Sequence, residues 1–409
     1  MQASSPSNLN DQKFMKRALD LAVKAMGKTS PNPLVGCVIV KDEQIVGEGY
    51  HLKAGTPHAE VHALTAAGEQ ARDATAYVTL EPCSHFGRTP PCAEALIRAG
   101  LKRVVVAMKD PNPLVSGRGI TRLREVGIQV DVGLMFQEAS LINEVFVKVM
   151  TTGLPFVVYK TAMTLDGKIA TETGDSRWVS TEVSRQYVQQ LRDRYDVILV
   201  GSETVILDDP ALTCRLSRGH DPVRLIVDGK LRLAENAQVL SSSAHSPCVI
   251  ATTQAASHEK IERLKHLVGV EVWQYDSLRH VPLEKLLRDL VRRGWTSVLL
   301  EGGGGLAGTL IQDQLVDKIE FFIAPKLVGG NGPSPLSGLH IQCMAEAIAL
   351  QNLHIDMYSG DLHVTGYLSS ELVQLKLNIE ASVGESTPTE VEIGTPTYRS
   401  GSLGIDKGF

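Results

Sequence analysis

The residues whose types and spacing could do chemistry lie between His58 and Cys92. His58 is followed two positions later by Glu60, and Cys83 follows Glu81-Pro82 with eight residues between it and Cys92. One histidine and two cysteines suit zinc, and three protein ligands leave the fourth tetrahedral position to a water molecule. The segment therefore predicts a catalytic zinc site with His58, Cys83 and Cys92 as its ligands.

Glu60 is the proton-transfer group that such a site needs. A zinc-bound water has to lose a proton to become a hydroxide nucleophile, and a leaving amine has to gain one. Zinc deaminases of nucleobases combine the same parts as H-x-E and P-C-x-x-C, with the glutamate outside the metal shell. Here the first part matches fully, whereas the cysteine spacing is wider. The pattern indicates a hydrolytic deaminase in which Glu60 is the catalytic residue.

Two other interpretations concern neighbouring histidines. His62, four residues after His58, would suggest a zinc protease helix, but that motif needs glutamate directly after the first histidine, where this chain has Ala59. His85 lies between the two cysteines and is an alternative metal ligand. Histidines and cysteines taken singly are more often core residues. Their order here, together with Glu60, favours the metal site.

The local pattern also indicates which elements position these residues. A buried strand over 76–80 leads to Cys83, and a proline at 91 and a glycine at 100 bracket a helix that begins at Cys92. At a helix N-terminus the partial positive charge favours the thiolate. His58 and Glu60 begin a second helix. Residues two apart in an ideal helix point about 200° apart, so both reach one metal only at an irregular first turn.

Length and composition limit the class of protein. The 409 residues, 43% of them hydrophobic, suffice for two domains. The formal net charge of −5 with interspersed signs argues against a nucleic-acid partner. The chain has no apolar run of about 18 residues and no export signal, so membrane insertion is not expected. The six cysteines have no framework spacing, which predicts a reducing, cytoplasmic location.

Strands that alternate with helices predict two layered α/β domains. We assign a first domain to 1–150, a linker to Thr151–Pro155, a second domain to 154–369 and a tail of unknown role to 370–409, expected to be poorly ordered or to form an edge strand. The first domain should contain helices at 11–28, 92–100, 120–126 and 137–149 and strands at 35–40, 45–50, 76–80, 103–108 and 128–132. The second should contain strands at 156–160, 197–201, 223–228, 248–252, 270–274, 297–301 and 362–368, a polar loop at 161–167, and helices at 184–195, 258–268, 283–293 and 306–315.

The clearest site signal in the second half is the strand 297–301 followed by Gly302–Gly305. A strand that breaks into glycines and opens a helix offers backbone N–H groups to an anion, usually a phosphate. No Gly-Lys-Ser/Thr follows, which excludes a P-loop, and the acidic residue of a Rossmann fingerprint is not clearly placed. A glycine run can also be a flexible turn; Glu301 in front of it favours a site.

Both halves closely resemble the bifunctional riboflavin-biosynthesis deaminase/reductase family, over about Asp11 to Ser369. In the first half the matching residues are Ser30-Pro31-Asn32-Pro33, His58-Ala59-Glu60 and the run from Glu81 to Cys92, which accounts for the wide cysteine spacing. In the second half they are Lys160, Leu165-Asp166-Gly167, Ser176-Arg177-Trp178, Arg192 with Asp196, Gly201 to Thr204, Asp208 to Thr213, Arg215 and Glu301 to Thr309. Thr164 stands where relatives usually have serine, and it keeps the hydroxyl.

The resemblance implies a cytidine-deaminase-like three-layer domain followed by a dihydrofolate-reductase-like domain that uses NADPH. It implies zinc-dependent deamination of 2,5-diamino-6-(5-phosphoribosylamino)pyrimidin-4-one, then reduction of the ribosyl group to ribityl by a homo-oligomeric enzyme. The alternatives are a cytidine or nucleobase deaminase with an appended nucleotide-binding domain, and a non-catalytic zinc and nucleotide sensor.

The resemblance also implies roles for individual residues. Asn32, by its position between prolines an ordinary turn residue, would line the pyrimidine pocket. The other implied substrate contacts are Ser176, Arg192, Leu212, Arg215 and Glu301. The implied NADPH contacts are Ala162, Trp178, Thr204, Asp208, Gly303, Gly304, Gly305, Leu306, Ala307, Gly308 and Thr309. Lys160 and Asp166 are candidates for polar assistance to the hydride transfer.

Overall fold

The computed structural model describes residues 6–84, 91–112, 115–241 and 246–368. The alternative ligand His85 and the tail at 370–409 lie outside the described residues. Among these residues, no helix combines the length and the apolar character that crossing a bilayer requires.

The first sheet has five strands in the order β2-β1-β3-β4-β5. β1 pairs antiparallel with β2 and β3, whereas β3, β4 and β5 are parallel. The strands are β1 (Gly36–Lys41), β2 (Gln44–Tyr50), β3 (Thr75–Val78), β4 (Arg103–Val106) and β5 (Gln129–Val132). The helices are α1 (Pro6–Ala22), α2 (Ala59–Ala67), α3 (Cys92–Arg98), α4 (Arg118–Glu125), α5 (Phe136–Ile142) and α6 (Glu144–Thr152).

Helices cover both faces of this sheet, because successive strand residues point to opposite sides. Val38 packs with Phe14 of α1 and Phe136 of α5 on one face. Ile39 packs with Leu96 of α3 on the other, together with residues of α2 and α4. The predicted three-layer arrangement is confirmed.

The second sheet has nine strands in the order β10-β9-β8-β7-β11-β6-β12-β14-β13. It is parallel from β10 to β12, and β14 and β13 add antiparallel pairs. The strands are β6 (Phe156–Thr164), β7 (Val197–Gly201), β8 (Val223–Val227), β9 (Cys248–Thr253), β10 (Val270–Tyr275), β11 (Ser297–Leu300), β12 (Lys318–Ala324), β13 (Gln351–Tyr358) and β14 (Asp361–Tyr367). The helices are α7 (Glu182–Arg194), α8 (Ser202–Asp208), α9 (Gln238–Ser241), α10 (His258–Lys265), α11 (Leu283–Arg292) and α12 (Gly304–Gln312).

Several elements differ from the sequence prediction. The polar loop predicted from Thr161 is wrong as far as Thr164, because β6 continues to that residue by pairing with β12, a strand the sequence pattern did not reveal. The helix predicted at 137–149 is two helices, α5 and α6, broken at Asn143, whose side chain bonds the backbone of Leu34 instead. α12 begins at Gly304, inside the glycine run. α8, α9 and β13 were also not predicted.

The boundary between the two parts is continuous in the structure. α6 continues to Thr152, so the segment predicted as a linker begins inside a helix, and β6 starts at Phe156. One apolar cluster contains Phe136 and Val147 of the first part and Phe156, Leu191 and Leu299 of the second. The two sheets therefore share a hydrophobic core, while the proposed domain limits stay a prediction.

Candidate active sites

His58, Cys83 and Cys92 converge although they come from three different elements. His58 Nδ1 lies 3.3 Å from Cys92 Sγ and 3.6 Å from Cys83 Sγ, and the three donor atoms all lie within 4.8 Å of one another. His58 precedes α2 with extended backbone angles (φ −74°, ψ 166°), so it is not held in helical geometry relative to Glu60. The expected irregular start of this helix is present.

The chemistry of the three donors fits zinc. Cys92 is the first residue of α3, and its backbone N–H donates to Cys83 Sγ at 3.3 Å. Hydrogen bonds from Cys92 and His58 lower the pKa of the Cys83 thiol to about 4. Thiolate and imidazole are the ligands that zinc prefers, and three of them make an open, catalytic set.

Glu60 lies on the first turn of α2 and is only 3% exposed. Burial, together with the neighbouring Cys83, raises the pKa of Glu60 to about 7. A carboxyl group with a pKa near neutrality can both accept and return a proton. It lines a cavity of about 360 Å³ that is also lined by Asn32, His51, His58 and Cys83.

Asn32 is oriented by a histidine that sequence reasoning missed. The amide Nδ2 of Asn32 lies 3.1 Å from Nε2 of His51, whose Nδ1 lies 3.2 Å from the carbonyl oxygen of Pro57. If Nδ1–H donates to Pro57, Nε2 accepts from the Asn32 amide. Burial lowers the pKa of His51, which favours this neutral form. Nothing in the local sequence marked His51, because a single histidine directly after β2 belongs to no ligand-spacing pattern.

Glu81 holds the loop beside the cavity through hydrogen bonds to its backbone. Its carboxylate accepts backbone N–H groups of Asp110 at 3.2 Å, Gly117 and Gly119 at 2.9 Å, and Ile120 at 3.3 Å. Asp110 lines the cavity and α4 contains Gly119. The sequence motif included Glu81 without a role; the structure makes it the anchor of the loop beside the cavity.

In the second half, Lys160, Arg192 and Glu301 form a charged cluster whose side chains are 15%, 14% and 10% exposed. Arg192 donates to both oxygens of Glu301, from Nε at 2.8 Å and from Nη2 at 2.9 Å, and Lys160 Nζ lies 4.0 Å from Glu301 Oε2. Burial opposes ionisation of Glu301, but the charges of Arg192 and Lys160 outweigh it and lower its pKa to about 2. Burial lowers the pKa of Lys160. Arg215 is exposed and close enough for its charge to act on Glu301.

The glycine run begins α12 and divides into two kinds of position. A Cβ on Gly304 would lie 2.5 Å from the Ser334 carbonyl oxygen, and one on Gly308 would lie 2.1 Å from that of Ser337. A Cβ on Gly303 would meet nothing closer than Thr204 Oγ1 at 3.9 Å, and one on Gly305 nothing closer than 4.0 Å. Gly304 and Gly308 are therefore required by packing, whereas Gly303 and Gly305 leave space at the helix N-terminus.

The other predicted residues are distributed around this end of the second sheet. Trp178 is 60% exposed with the Arg185 guanidinium 4.5 Å from its ring centroid, and Arg177 donates to the Asp208 carbonyl at 3.4 Å. Ala162 lies on the part of β6 that pairs with β12, and Ser176 is half-buried. Leu306 and Ala307 lie in α12, and Ala307 is buried. The Thr309 hydroxyl donates to the Gly305 carbonyl.

Two predicted residues have surroundings that change their expected role. Asp166 is exposed; it accepts from the Thr164 hydroxyl at 2.5 Å and from the Gly329 N–H at 2.7 Å, so it holds the loop after β12. These hydrogen bonds lower the pKa of Asp166 to about 2. The Leu212 side chain is 4% exposed in an apolar cluster, so only its backbone, with φ of +54°, can face a ligand.

Comparisons with known proteins match both parts of the chain. A family model for the cytidine and deoxycytidylate deaminase zinc-binding region matches residues 9–108, and one for the RibD C-terminal domain matches residues 155–364. The riboflavin biosynthesis protein RibD of Bacillus amyloliquefaciens is 46% identical over 358 residues, which cover 87% of this chain and 95% of that protein. RibD of Escherichia coli K12 is 45% identical over 346 residues, or 81% of this chain and 92% of that protein.

Solved structures also match both parts of the chain. Acinetobacter baumannii RibD superposes with a TM-score of 0.79 at 39% identity, covering 89% of this chain and 100% of that chain. A diaminohydroxyphosphoribosylaminopyrimidine deaminase/5-amino-6-(5-phosphoribosylamino)uracil reductase of Thermotoga maritima gives 0.78 at 35% identity with the same coverage. The fold prediction of a deaminase domain followed by a reductase domain is confirmed, and the cytidine deaminase and sensor alternatives are not favoured. The chain belongs to the RibD family of riboflavin biosynthesis proteins.

Proposed function

We propose that the two clusters described above are the two active sites of this bifunctional enzyme. The chain is a deaminase and reductase of riboflavin biosynthesis, and it uses zinc and NADPH. The relative from Thermotoga maritima is named as a diaminohydroxyphosphoribosylaminopyrimidine deaminase and a 5-amino-6-(5-phosphoribosylamino)uracil reductase. We assign 2,5-diamino-6-(5-phosphoribosylamino)pyrimidin-4-one as the first substrate. The observation that carries the deaminase assignment is the convergence of His58, Cys83 and Cys92 beside buried Glu60.

In the deaminase site, His58, Cys83 and Cys92 would hold the zinc ion. When bound, zinc supplies a water whose lowered pKa lets it act as a hydroxide nucleophile near neutral pH. Glu60 would accept one proton from the attacking water and pass it to the departing amino group. A carbon–oxygen bond forms, the carbon–nitrogen bond breaks and ammonia leaves. Asn32, fixed by His51, orients the pyrimidine in the cavity of about 360 Å³.

In the reductase site, NADPH supplies the hydride. Gly303 and Gly305 present the N-terminus of α12 to a phosphate of the dinucleotide, an arrangement suited to anions. Thr204 lies beside Gly303 and extends this surface. We assign the remaining dinucleotide contacts to Ala162, Trp178, Asp208, Gly304 and the residues from Leu306 to Thr309.

The substrate of the reductase site is held by the charged cluster around Glu301. Arg215, which is exposed, provides the positive charge that a ribose phosphate requires, and a guanidinium group can bind phosphate in a bidentate manner. Arg192, whose Nε and Nη2 already donate to Glu301, is assigned as a further substrate contact within the same cluster. We assign Lys160 to polar assistance at the sugar carbon, and Ser176, the Leu212 backbone and Glu301 to the remaining substrate contacts. Asp166 assists indirectly, by holding the loop at 328–329.

The test measures ammonia release and NADPH oxidation on the diaminopyrimidinone ribose phosphate. Replacing Glu60 by glutamine should lower ammonia release by about 10²–10⁴-fold, the usual contribution of a general acid–base group. Zinc content should stay at one ion per chain, because Glu60 is not a ligand. NADPH oxidation on the already deaminated substrate is the control and should persist. Undiminished ammonia release by Glu60→Gln would contradict the assignment of Glu60.

We also propose that the enzyme is a cytoplasmic homo-oligomer with no nucleic-acid partner. Among the described residues, β13 is the edge strand of the second sheet. Its Leu353, Ile355 and Met357, alternate residues on one side of the strand, are 55%, 54% and 70% exposed. An apolar edge strand of this kind is usually covered in the working molecule. All six cysteines are free, and the net charge is −5. Light scattering should give a mass above that of one chain.

A further inference from the structure

The turn that contains Asn32 is attached to the second domain as well as to the first. The Ser30 hydroxyl, two residues before Asn32, donates to Asp196 Oδ2 at 2.9 Å and lies 3.0 Å from Thr296 Oγ1. Close packing accompanies this contact, since a Cβ on Gly27 would lie 3.1 Å from the Asp193 carbonyl oxygen. The start of the substrate-facing turn therefore contacts Asp196 and Thr296, the residues directly before β7 and β11.

Asp196 is a rigid partner for that hydroxyl. Its Oδ2 also accepts the backbone N–H of Thr296 at 2.8 Å and of Ser297 at 3.1 Å, together with both of their hydroxyl groups. Asp196 directly precedes β7, and Ser297 begins β11, the neighbouring parallel strand. The carboxylate is thereby fixed by the central strands of the second sheet.

The connection from Ser30 to the deaminase cavity is short. The Asn32 N–H donates to the Thr29 carbonyl at 2.7 Å, which closes the turn around Ser30. The crevice between the domains at this turn is only about 70 Å³, whereas small-molecule pockets usually measure about 300–1,000 Å³. Because the crevice is so small, we interpret it as a contact between the domains and not as a ligand-binding pocket.

We propose that Asp196, in the reductase domain, is a positioning residue for the deamination. It holds Ser30, and through the turn it places Asn32 at the wall of the deaminase cavity. This inference rests on the proposed function, in which Asn32 contacts the pyrimidine. It means that the deaminase site is complete only when the second domain is packed against the first.

Other hydrogen bonds within the first domain limit the structural effect of losing the Ser30–Asp196 contact. Asn143 both accepts from the Leu34 N–H at 2.8 Å and donates to the Leu34 carbonyl at 3.0 Å, and His51 binds the Asn32 amide. These contacts keep the segment attached when the Ser30 hydroxyl is removed. Loss of the contact to Asp196 should therefore misplace Asn32 without unfolding the domain.

The experiment compares Ser30→Ala with Ser30→Thr in the full-length, zinc-loaded enzyme. Ser30→Ala should raise the KM for deamination about 10-fold, in line with the loss of one hydrogen bond to a charged group. Its kcat should stay within about 2-fold, because Glu60 and the metal ligands are untouched. Ser30→Thr keeps the hydroxyl and should retain most of the wild-type KM. Reductase kinetics, measured on the deaminated substrate, should be the same in all three proteins.

Two further variants separate this inference from the function on which it rests. In an Asp196→Ala background, Ser30→Ala should raise the KM no further, because the contact is already lost. Asn32→Ala should raise the deamination KM by itself. If Asn32→Ala raises the KM and Ser30→Ala does not, the positioning role is overturned while the proposed site stands. If Asn32→Ala leaves the KM unchanged, the Asn32 contact and the positioning role both fall, and ammonia release by the wild type still reports the activity.

Discussion

At the scale of single residues, environment gives two buried glutamates opposite properties. Glu60 is buried beside thiol groups, and burial raises its pKa to about 7, which suits proton transfer. The Glu301 side chain is only 10% exposed, but Arg192 and Lys160 lower its pKa to about 2, so it stays charged at every working pH. Carboxyl groups whose environments shift their pKa values in opposite directions have different roles. Glu301 is therefore suited to act as a fixed anion that holds Arg192, and Glu60 has the pKa that its proposed role as acid and base requires.

Glu301→Gln should destabilise the protein by about 3 kcal/mol at neutral pH, because it leaves the buried Arg192 guanidinium without its charged partner. The pKa of Glu301 is about 2 in the folded chain against an ordinary 4.5, so its stabilisation is present above pH 4.5 and is lost as the pH falls towards 2. The free energy of unfolding of the variant should vary less with pH over that range. Denaturant unfolding between pH 2 and pH 7 measures both effects.

The matched control for that measurement is Glu235→Gln. Glu235 pairs with Arg263 on the surface, at 2.9 Å and with both side chains at least 40% exposed. Exposed ion pairs contribute little because solvent screens them, so Glu235→Gln should leave the free energy of unfolding nearly unchanged. Equal losses of stability in Glu301→Gln and Glu235→Gln would contradict the buried-anion role of Glu301.

The residues that could be predicted from sequence are those whose partners lie close in the chain. His58, Glu60, Cys83 and Cys92 fall within one stretch, so their types and spacing were sufficient. Ser30 was noted only as part of a motif, because its partner Asp196 is 166 residues away. Long-range hydrogen bonds of this kind leave no local pattern, and only the tertiary structure reveals them.

At the scale of elements, β12 shows the same limit of sequence reasoning. Strands such as β7 and β11 are continuous apolar runs, typical of parallel strands buried on both faces, and they were predicted. β12 was missed although it pairs with β6 and β14. Polar residues in it, such as Lys318 and Glu320, are satisfied by ion pairs that the sequence does not display. The end of β6 was misjudged for the same reason, since Thr161 and Thr164 lie on the part paired with β12.

The start of α12 allows an element-scale prediction that separates binding from packing. Gly303 has an ordinary φ of −65°, and an added methyl group meets no atom closer than 3.9 Å, so Gly303→Ala should fold normally. The methyl group would occupy space that we assign to a phosphate, and the KM for NADPH should rise about 10-fold or more. Thermal unfolding and reductase kinetics measure the two properties separately.

Gly308→Ala is the comparison for the same helix. Its added Cβ would lie 2.1 Å from the Ser337 carbonyl oxygen, so the segment has to move. Overpacking of this kind typically costs about 1–3 kcal/mol, and the unfolding temperature should fall. A normal NADPH KM in Gly303→Ala would show that the dinucleotide phosphate is not held at this helix end.

At the scale of the whole molecule, the two domains are joined by buried charges as well as by a shared apolar core. Lys148 of α6 forms a 2.8 Å ion pair with Asp317, with the side chains 7% and 2% exposed. Asp317 also accepts the Val157 N–H at 2.8 Å, at the start of β6. Glu144, one turn earlier on α6, lies 3.6 Å from Arg194 of α7. Helix α6 of the deaminase domain is thus bonded to β6, Asp317 and α7 of the reductase domain. The contact of Asp196 with Ser30 is a second polar connection between the same two domains.

Lys148→Met should weaken this junction because it removes the only described cationic partner of Asp317 within ion-pair distance and keeps the apolar stem. Breaking a buried pair costs about 3–5 kcal/mol. Burial already raises the pKa of Asp317 from 3.8 to about 6, so ionisation of this group lowers stability as the pH rises through that window. Without Lys148 the charged Asp317 carboxylate loses its cationic partner. The free energy of unfolding of Lys148→Met should therefore differ more from that of the wild type at pH 8 than at pH 5. Lys285→Met removes one surface partner of Asp289 and leaves Arg292 in contact with that carboxylate at 2.6 Å, so it should change stability by no more than about 0.5 kcal/mol at either pH. Denaturant unfolding at both pH values decides the matter: a Lys148→Met effect as small as that of Lys285→Met, or one that shrinks as the pH rises, would mean that the junction does not depend on this ion pair.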